Sequence, residues 1–241
     1  MNKKKKKSAT SKKTRKNNNR FLLKKDKAAE FFIVIAILFF ALLFWDSFII
    51  YPVKILVVAL HEISHAIITI FTGGSILKME VHSGLYGTIN SEGGNEFLIA
   101  FSGYLGSLLF GYFIFVSAEN KKLNLILSTS ISVLLLLFTA NFFTDAIAII
   151  FMLFYTIFFY VSPRYLPQKI NYWAMRIIGL ISTFYALFDI KEDLLTNQYL
   201  STDADRLAII TNIPSIYWGL LWFVISIFVI LIMFRNAYFR E

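Results

Sequence analysis

Residues 53 to 72 read VKILVVALHEISHAIITIFT, an apolar stretch of 20 residues with a His-Glu-x-x-His pattern near its centre. A helix of this length spans the ~30 Å hydrocarbon core of a bilayer. Ionisable side chains inside such a helix are energetically costly and usually mark a function. The stretch therefore predicts a membrane-spanning helix that carries a polar site.

The rest of the chain has the composition of a membrane protein. Hydrophobic residues make up 57% of the sequence and charged residues only 16%, far from the balance of a soluble domain. Other apolar segments lie near 30 to 51, 96 to 118, 123 to 161, 172 to 190 and 213 to 234. The run from 123 to 161 is too long for one span, so it predicts two helices joined by a turn near Thr139 to Asp145. The predicted fold is an all-α polytopic membrane protein with six or seven transmembrane helices.

The basic residues are concentrated at the amino terminus. Residues 1 to 27 contain 13 of the 24 Lys and Arg, and Asp26 is their one acidic residue. This composition predicts a disordered basic cytoplasmic tail over residues 1 to 28 and a membrane domain over residues 29 to 241. We expect the tail to contact anionic lipid headgroups. Nucleic acid is not an expected partner, because the basic segment leads directly into an apolar run.

The number of spans decides the topology. In a seven-span arrangement the first span runs outward from the cytoplasm, Tyr51-Pro52 forms the outer turn, and the second span returns. This arrangement leaves six later basic residues outside, against the positive-inside rule: Lys121, Lys122, Arg164, Lys169, Arg235 and Arg240. A six-span arrangement, with part of 123 to 161 re-entrant, brings the last four of them inside. The sequence leaves both arrangements open.

The His-Glu-x-x-His pattern predicts a metal site. His61 and His65 are four residues apart, so on a helix they share a face and can bind one tetrahedral ion. Glu62 beside them has the position of a carboxylate that removes a proton from the attacking water. The pattern arises by chance in about one in a thousand shuffled sequences of this composition. Because the chain has no cysteine, His, Asp and Glu are the strong ligands available, and Zn²⁺ is the predicted cofactor.

A third protein ligand is needed, and Asp145 is the predicted one. It lies in an apolar stretch beside Asn141 and Thr144, which could orient it. The alternatives are Asp189, Asp193 and His82, and Asp145 could instead cap the helix that follows it. The acidic segment from Asp189 to Asp205 is interpreted as a solvated loop, with a cation site as the less favoured alternative.

Three parts of the chain between about residues 53 and 160 resemble the site-2 protease family of intramembrane zinc metallopeptidases. They are the metal-binding pattern followed by Ala66, the stretch from Gly73-Gly74 to Asn90, and the small-residue segment 102 to 107. The match is closer to the short, divergent bacterial branch, and Thr144-Asp145-Ala146 stands where the family has Leu-Asp-Gly. The resemblance implies that His61 and His65 bind zinc and that Glu62 is catalytic.

The stretch after the metal-binding helix predicts a small β-hairpin. Leu77, Met79 and Val81 alternate with polar residues, and Ser83-Gly84 supplies a turn. We expect the first strand to bind an unwound substrate segment through these three residues. In the next apolar segment, four small residues form a smooth stripe that predicts close helix packing: Gly103, Gly106, Ser107 and Gly111.

These features together predict an intramembrane zinc metallopeptidase that cleaves membrane-spanning proteins. The alternative is a non-proteolytic multi-pass protein, either a metal-binding scaffold or an ion or solute carrier, that retains the same His and Glu side chains. The two functions differ in whether Glu62 takes part in a reaction.

Overall fold

The computed structural model describes residues 27–45, 47–82, 84–195 and 202–239, without the side chains of residues 191–195. Most of the predicted tail therefore lies outside the described residues. The helices are α1 (27–43), α2 (Tyr51–Phe71), α3 (Glu96–Ser117), α4 (Lys121–Asn141), α5 (Ala146–Tyr165), α6 (Gln168–Leu195), α7 (Asp203–Thr211) and α8 (Ser215–Phe234). A π-helical turn, Arg235–Phe239, follows α8, and strands β1 (Ser75–Val81) and β2 (Gly87–Glu92) lie between α2 and α3.

Six of the described helices are long and apolar enough to cross a membrane: α2 to α6, and α8. Large apolar side chains remain exposed along the outward faces of α4, α5 and α8, where lipid would cover them. The run from 123 to 161 forms two separate helices, α4 and α5, as predicted. The structure thus confirms an all-α polytopic membrane protein with a small β-hairpin after α2.

A charge cluster around the buried Arg176 joins four distant parts of the chain at one end of the bundle. The side chain of Arg176 in α6 is 1% exposed. Its guanidinium donates a hydrogen bond, 2.7 Å long, to the carboxylate of Glu119, which lies just after the end of α3. Glu30 in the first turns of α1 accepts hydrogen bonds from Tyr172 and from Tyr238, which follows α8. The starts of α1 and α6 and the ends of α3 and α8 therefore lie together. We call this the tail end of the bundle, because α1 continues directly from the basic tail.

The direction of α1 differs from the prediction. Near the start of α1, Glu30 contacts Tyr172 at the start of α6. Just after the end of α1, Trp45 stacks on Tyr185 and contacts Phe188, both further along α6. Helix α1 therefore runs in the same direction as α6. Ile50, just before α2, packs against Ile181 of α6. Thr72, just after α2, accepts a hydrogen bond from Asn95 at the start of α3, at the opposite end of the bundle. The connection between α1 and α2 is therefore short, and the two helices are not an outward span followed by a returning one. The apolar composition of a segment predicts that it lies in the membrane, but its direction depends on how it packs against the other helices.

The hairpin folds back against α2. β1 and β2 pair antiparallel, and a turn closed by His82 and Tyr86 joins them. Residues 142 to 144, between α4 and α5, lie along the other edge of β1: the N–H of Met79 donates to the carbonyl of Phe142 at 2.9 Å. Met79 and Val81 are fully buried. The hairpin is thereby fixed between α2 and the α4–α5 connection.

The small residues of α3 allow two close helix contacts. A Cβ at Gly106 would collide with Ser64 of α2, and a Cβ at Gly111 would collide with Thr183 of α6. The predicted stripe therefore packs against the metal-binding helix over its first part and against α6 over its second. This contact places α3 directly beside the His-Glu-x-x-His segment.

Candidate metal centre

Helix α2 presents two imidazoles towards α3. The Nε2 atoms of His61 and His65 lie 3.0 Å apart, as expected for residues one helical turn apart. Their side chains are 13% and 4% exposed. The helix around them is apolar and buried from Ile55 to Leu60. The two ring nitrogens therefore converge in an enclosed space.

The third residue is Asp203, the first residue of α7. Its Oδ2 lies 3.0 Å from Nε2 of His61 and 3.0 Å from Nε2 of His65. A capping box formed by Thr202 and Asp205 starts α7 at this point. Ala204 and Leu207 are buried in a cluster with residues of α3, α6 and α8. These contacts hold the Asp203 carboxylate over the two histidines.

The three ligand atoms suit a small divalent cation. His61, His65 and Asp203 form a group that could hold a metal, with their candidate donor atoms within 4.8 Å of one another. Ligands at tetrahedral corners around zinc are about 3.3–3.4 Å apart, given bonds of about 2.0–2.1 Å. The observed separations of 3.0 Å are close to this value. Two imidazoles and one carboxylate are also a donor set of catalytic zinc sites, which leave a fourth position open.

Gly103 of α3 leaves free space beside these donors. A Cβ at this position would collide with Nε2 of His61 and with Nε2 of His65. The absence of a side chain therefore keeps open the space next to the two nitrogens. Tyr104, the next residue, packs its ring edge-on against His61 with 4.8 Å between centroids. The candidate site is thus bounded by α3 as well as by α2.

The ring of His65 is fixed by a backbone contact. Its Nδ1 donates a hydrogen bond to the carbonyl of Ile99 at 2.7 Å, which leaves Nε2 with a free lone pair for a metal. Nδ1 of His61 is buried, and no atom of the described residues serves as its hydrogen-bond partner. Of the two imidazoles, His65 therefore has its tautomer set by the fold.

Glu62 lies beside the donors without joining them. Its side chain is buried, at 5% exposure. The backbone of Gly87 at the start of β2 lies against the carboxylate, so that any Cβ at Gly87 would collide with it. The hairpin thus confines Glu62 next to the metal site.

Two opposing effects act on the pKa of the Asp203 carboxyl. Burial raises the pKa of its carboxyl, but the charges and hydrogen bonds of His65 and His61 outweigh burial and hold the pKa well below its usual range. An ionised carboxylate is the form that binds a metal.

The structure does not bring Asp145 into this cluster. Asp145 caps α5, where its Oδ1 accepts a hydrogen bond from the N–H of Ala148 at 2.9 Å. This is the capping role that the sequence left open as an alternative. His82 stacks on Tyr86 in the hairpin turn, Asp189 is not part of the cluster, and the side chain of Asp193 lies outside the described residues.

The interpretation of the acidic segment as a solvated loop was wrong for Asp203, because this residue lies in α7 and contacts the two histidines. Asp203 lies 142 positions after His61 in the sequence. Local sequence patterns cannot predict a contact between residues so far apart. The Thr202-x-x-Asp205 capping pattern was the available signal, because it starts a helix at Asp203.

The three predicted substrate-binding residues differ in exposure. Leu77 is 59% exposed, whereas Met79 and Val81 face the core. The register of β1 shifts between Ile76 and Lys78, so the bulge interrupts the simple alternation of the strand. Because residues 142 to 144 already lie along β1 at Met79, an added strand would find this part of the edge occupied.

The family model described as Peptidase M50B-like matches residues 34–233. Comparisons with curated proteins and with solved structures gave no match. The matched region includes α2, the hairpin and Asp203, and therefore every residue of the candidate metal centre. The chain belongs to the Peptidase M50B-like family, within the site-2 protease group of membrane metallopeptidases.

Proposed function

We propose that this protein is an intramembrane zinc metallopeptidase that hydrolyses peptide bonds of membrane-spanning proteins. The observation that carries the proposal is the convergence of His61, His65 and Asp203, whose ligand atoms are 3.0 Å apart. A buried carboxylate, Glu62, lies beside them on a helix long and apolar enough to cross a membrane. A metal-binding triad with an adjacent base is the arrangement that metal-assisted hydrolysis needs.

His61, His65 and Asp203 would hold the zinc ion, and Glu62 would move the proton. When bound, zinc would act as a Lewis acid that polarises the scissile carbonyl and lowers the pKa of a water molecule. Glu62 takes a proton from the attacking water and then delivers it to the leaving amine, so that the peptide bond is replaced by a carboxyl group and a free amine. Its place between α2 and Gly87 keeps it from rotating away from the site.

The buried position of the site limits its substrates. A peptide bond within a transmembrane helix is hidden by internal hydrogen bonds, so the substrate must unwind locally before attack. The unwound segment needs backbone partners, which a β-strand can supply. β2 is the strand next to Glu62, through Gly87, and part of the edge of β1 is covered by residues 142 to 144. We therefore place the unwound substrate on the β2 side of the hairpin.

The proposal is tested in proteoliposomes with a single-pass membrane protein that carries helix-breaking residues in its span. Zinc-loaded protein is expected to cleave it within the span, a chelator is expected to stop cleavage, and added zinc is expected to restore it. Mass spectrometry of the products locates the cut. Cleavage that continues at the same rate after zinc has been removed would contradict the proposal.

The assignment of Asp203 as the third ligand has its own test. Asp203→Ala is expected to weaken zinc binding by at least about 100-fold, since loss of a mere supporting partner already costs 10- to 100-fold. Asp145→Ala is the matched control, because it removes another aspartate at a helix start. It is expected to keep zinc affinity and to lose about 1 kcal/mol of stability through the lost cap. Zinc loss in Asp145→Ala but not in Asp203→Ala would reverse the assignment.

A further inference from the structure

Helix α7 carries apolar side chains on two opposite faces. Its inner face, Ala204 and Leu207, is buried in the cluster with residues of α3, α6 and α8. On the other side, Ile209 is 78% exposed, and Ile210 and Ile213, the latter just beyond the helix, are 40% and 42% exposed. We call these three residues the outer face of α7. A helix at a water-covered surface presents polar residues outward, whereas apolar residues on all sides indicate burial in protein or lipid.

The start of α7 lies at the depth of the metal centre. Asp203, its first residue, contacts His61 and His65, and a Cβ at Gly103 of α3 would collide with both rings. Gly103 is seven residues from Glu96, where α3 begins, which corresponds to about 10 Å along the helix. α3 is long and apolar enough to cross a membrane. Asp203 therefore lies well inside the bundle and not at its end.

The rest of α7 runs along the first turns of α8. Trp222 of α8 belongs to the same buried cluster as the inner face of α7. One turn closer to the start of α8, the indole N–H of Trp218 donates a hydrogen bond to Oγ1 of Thr211 at 3.3 Å. Asn212 adopts a left-handed conformation that ends α7, and α8 begins three residues later. α7 therefore lies beside the first two turns of a membrane-spanning helix.

The outer face of α7 continues the lipid-facing surface of α8. The first turns of α8 expose large apolar side chains, which lipid would cover: Ile216, Tyr217, Leu220 and Leu221. Tyr217 and Trp218 are also the residue types that are enriched where a span meets the membrane–water interface. Because α7 packs against these turns of α8, the three isoleucines of its outer face lie at the depth of the same lipid.

Arg206 is compatible with this environment. It is exposed on the same side of α7 and lies three residues after Asp203, which places it up to about 5 Å nearer the end of the bundle. A long Arg side chain can leave its apolar part in lipid and extend its guanidinium to the headgroups.

We propose that α7 is embedded in the membrane, that lipid acyl chains cover its outer face, and that this cover holds Asp203 over the two histidines. Three side chains expose too little surface for a stable protein interface, which buries at least about 1,000 Å² in total. The position of α7 does not depend on the proposed function, whereas the effect on metal binding rests on the proposed zinc site. α7 thus links the metal centre to the bilayer, although a helix of about 14 Å is too short to cross it.

Fluorescence quenching tests the position of α7, because the chain contains no cysteine and single cysteines can be labelled with bimane. Ile209→Cys and Ile210→Cys report on the outer face, Leu220→Cys is the lipid-facing control, and Glu92→Cys at the end of β2 is the polar control. In phosphatidylcholine vesicles, nitroxide-labelled acyl chains are expected to quench the outer face as strongly as Leu220→Cys and at least twice as strongly as Glu92→Cys. Quenching by aqueous iodide that matches Glu92→Cys would overturn the proposal. Protection from both quenchers would also overturn it, because protein would then cover the face.

Zinc affinity in the same vesicles tests whether the lipid cover holds Asp203. Ile209→Asp places a carboxylate among the acyl chains and draws α7 towards water, so zinc affinity is expected to fall at least about tenfold. Ile147→Asp is the matched control, because Ile147 is an exposed isoleucine near the start of α5, outside the metal centre. This control is expected to bind zinc as wild type does. An equal fall in both variants, or no fall in either, with both folded by size-exclusion chromatography, would contradict the role of the lipid. If wild type binds no zinc, the proposed function fails, while the quenching result still decides the position of α7.

Discussion

Replacing Glu62 with Gln is expected to slow cleavage by about two to four orders of magnitude, the usual contribution of a general acid–base group. The substitution keeps the size and polarity of the side chain but removes its ability to accept a proton. Glu62 follows His61 directly and points about 100° away around the helix, so the ligand set of His61, His65 and Asp203 stays intact. Zinc content and thermal stability are therefore expected to match wild type.

The matched control is Glu96→Gln, which changes an exposed carboxylate in the first turn of α3. This variant is expected to cleave within about twofold of wild type, since surface carboxylates contribute little to structure. Rates are measured on the same membrane probe under single-turnover conditions, so that chemistry is separated from product release. A Glu62→Gln variant that cleaves at the wild-type rate would end the peptidase proposal even if zinc is present.

Much of the fold could be predicted because the relevant signals are local. The length of residues 53 to 72 predicts α2, and the four-residue spacing of His61 and His65 places both rings on one face. The alternation after Gly74 predicts a hairpin. The small residues of α3 predict close packing, which Gly103 and Gly106 make against α2.

The third residue of the metal centre could not be predicted because its position depends on tertiary packing. Asp145 and Asp203 each follow a threonine; Asp145 caps α5, and Asp203 is the first residue of α7. The sequence favoured Asp145 because it lies in an apolar stretch. The contacts of Ala204 and Leu207 with α3, α6 and α8 bring α7 over the histidines instead.

The direction of α1 also could not be predicted from the sequence. An apolar segment of 20 residues fits a span in either direction, and the turn predicted at Tyr51-Pro52 would reverse the chain. The contacts of Glu30 with Tyr172 and of Trp45 with Tyr185 show that α1 runs alongside α6.

The loss of both imidazoles is the second large effect that we expect. His61→Ala and His65→Ala together remove two of the three ligands, and Asp203 alone is a weak site for a single ion. The chain has three histidines, and His82 in the hairpin turn is the matched control because its ring stacks on Tyr86 outside the cluster. His82→Ala is expected to bind zinc as wild type does.

The zinc content of the purified protein is the most direct measurement of the central claim. Wild type and His82→Ala are expected to contain about one zinc per chain, as a single tetrahedral site requires. The His61→Ala, His65→Ala double variant is expected to contain almost none while it remains folded by size-exclusion chromatography and circular dichroism. Equal zinc content in wild type and in the folded double variant would contradict the claim that these histidines form a zinc site.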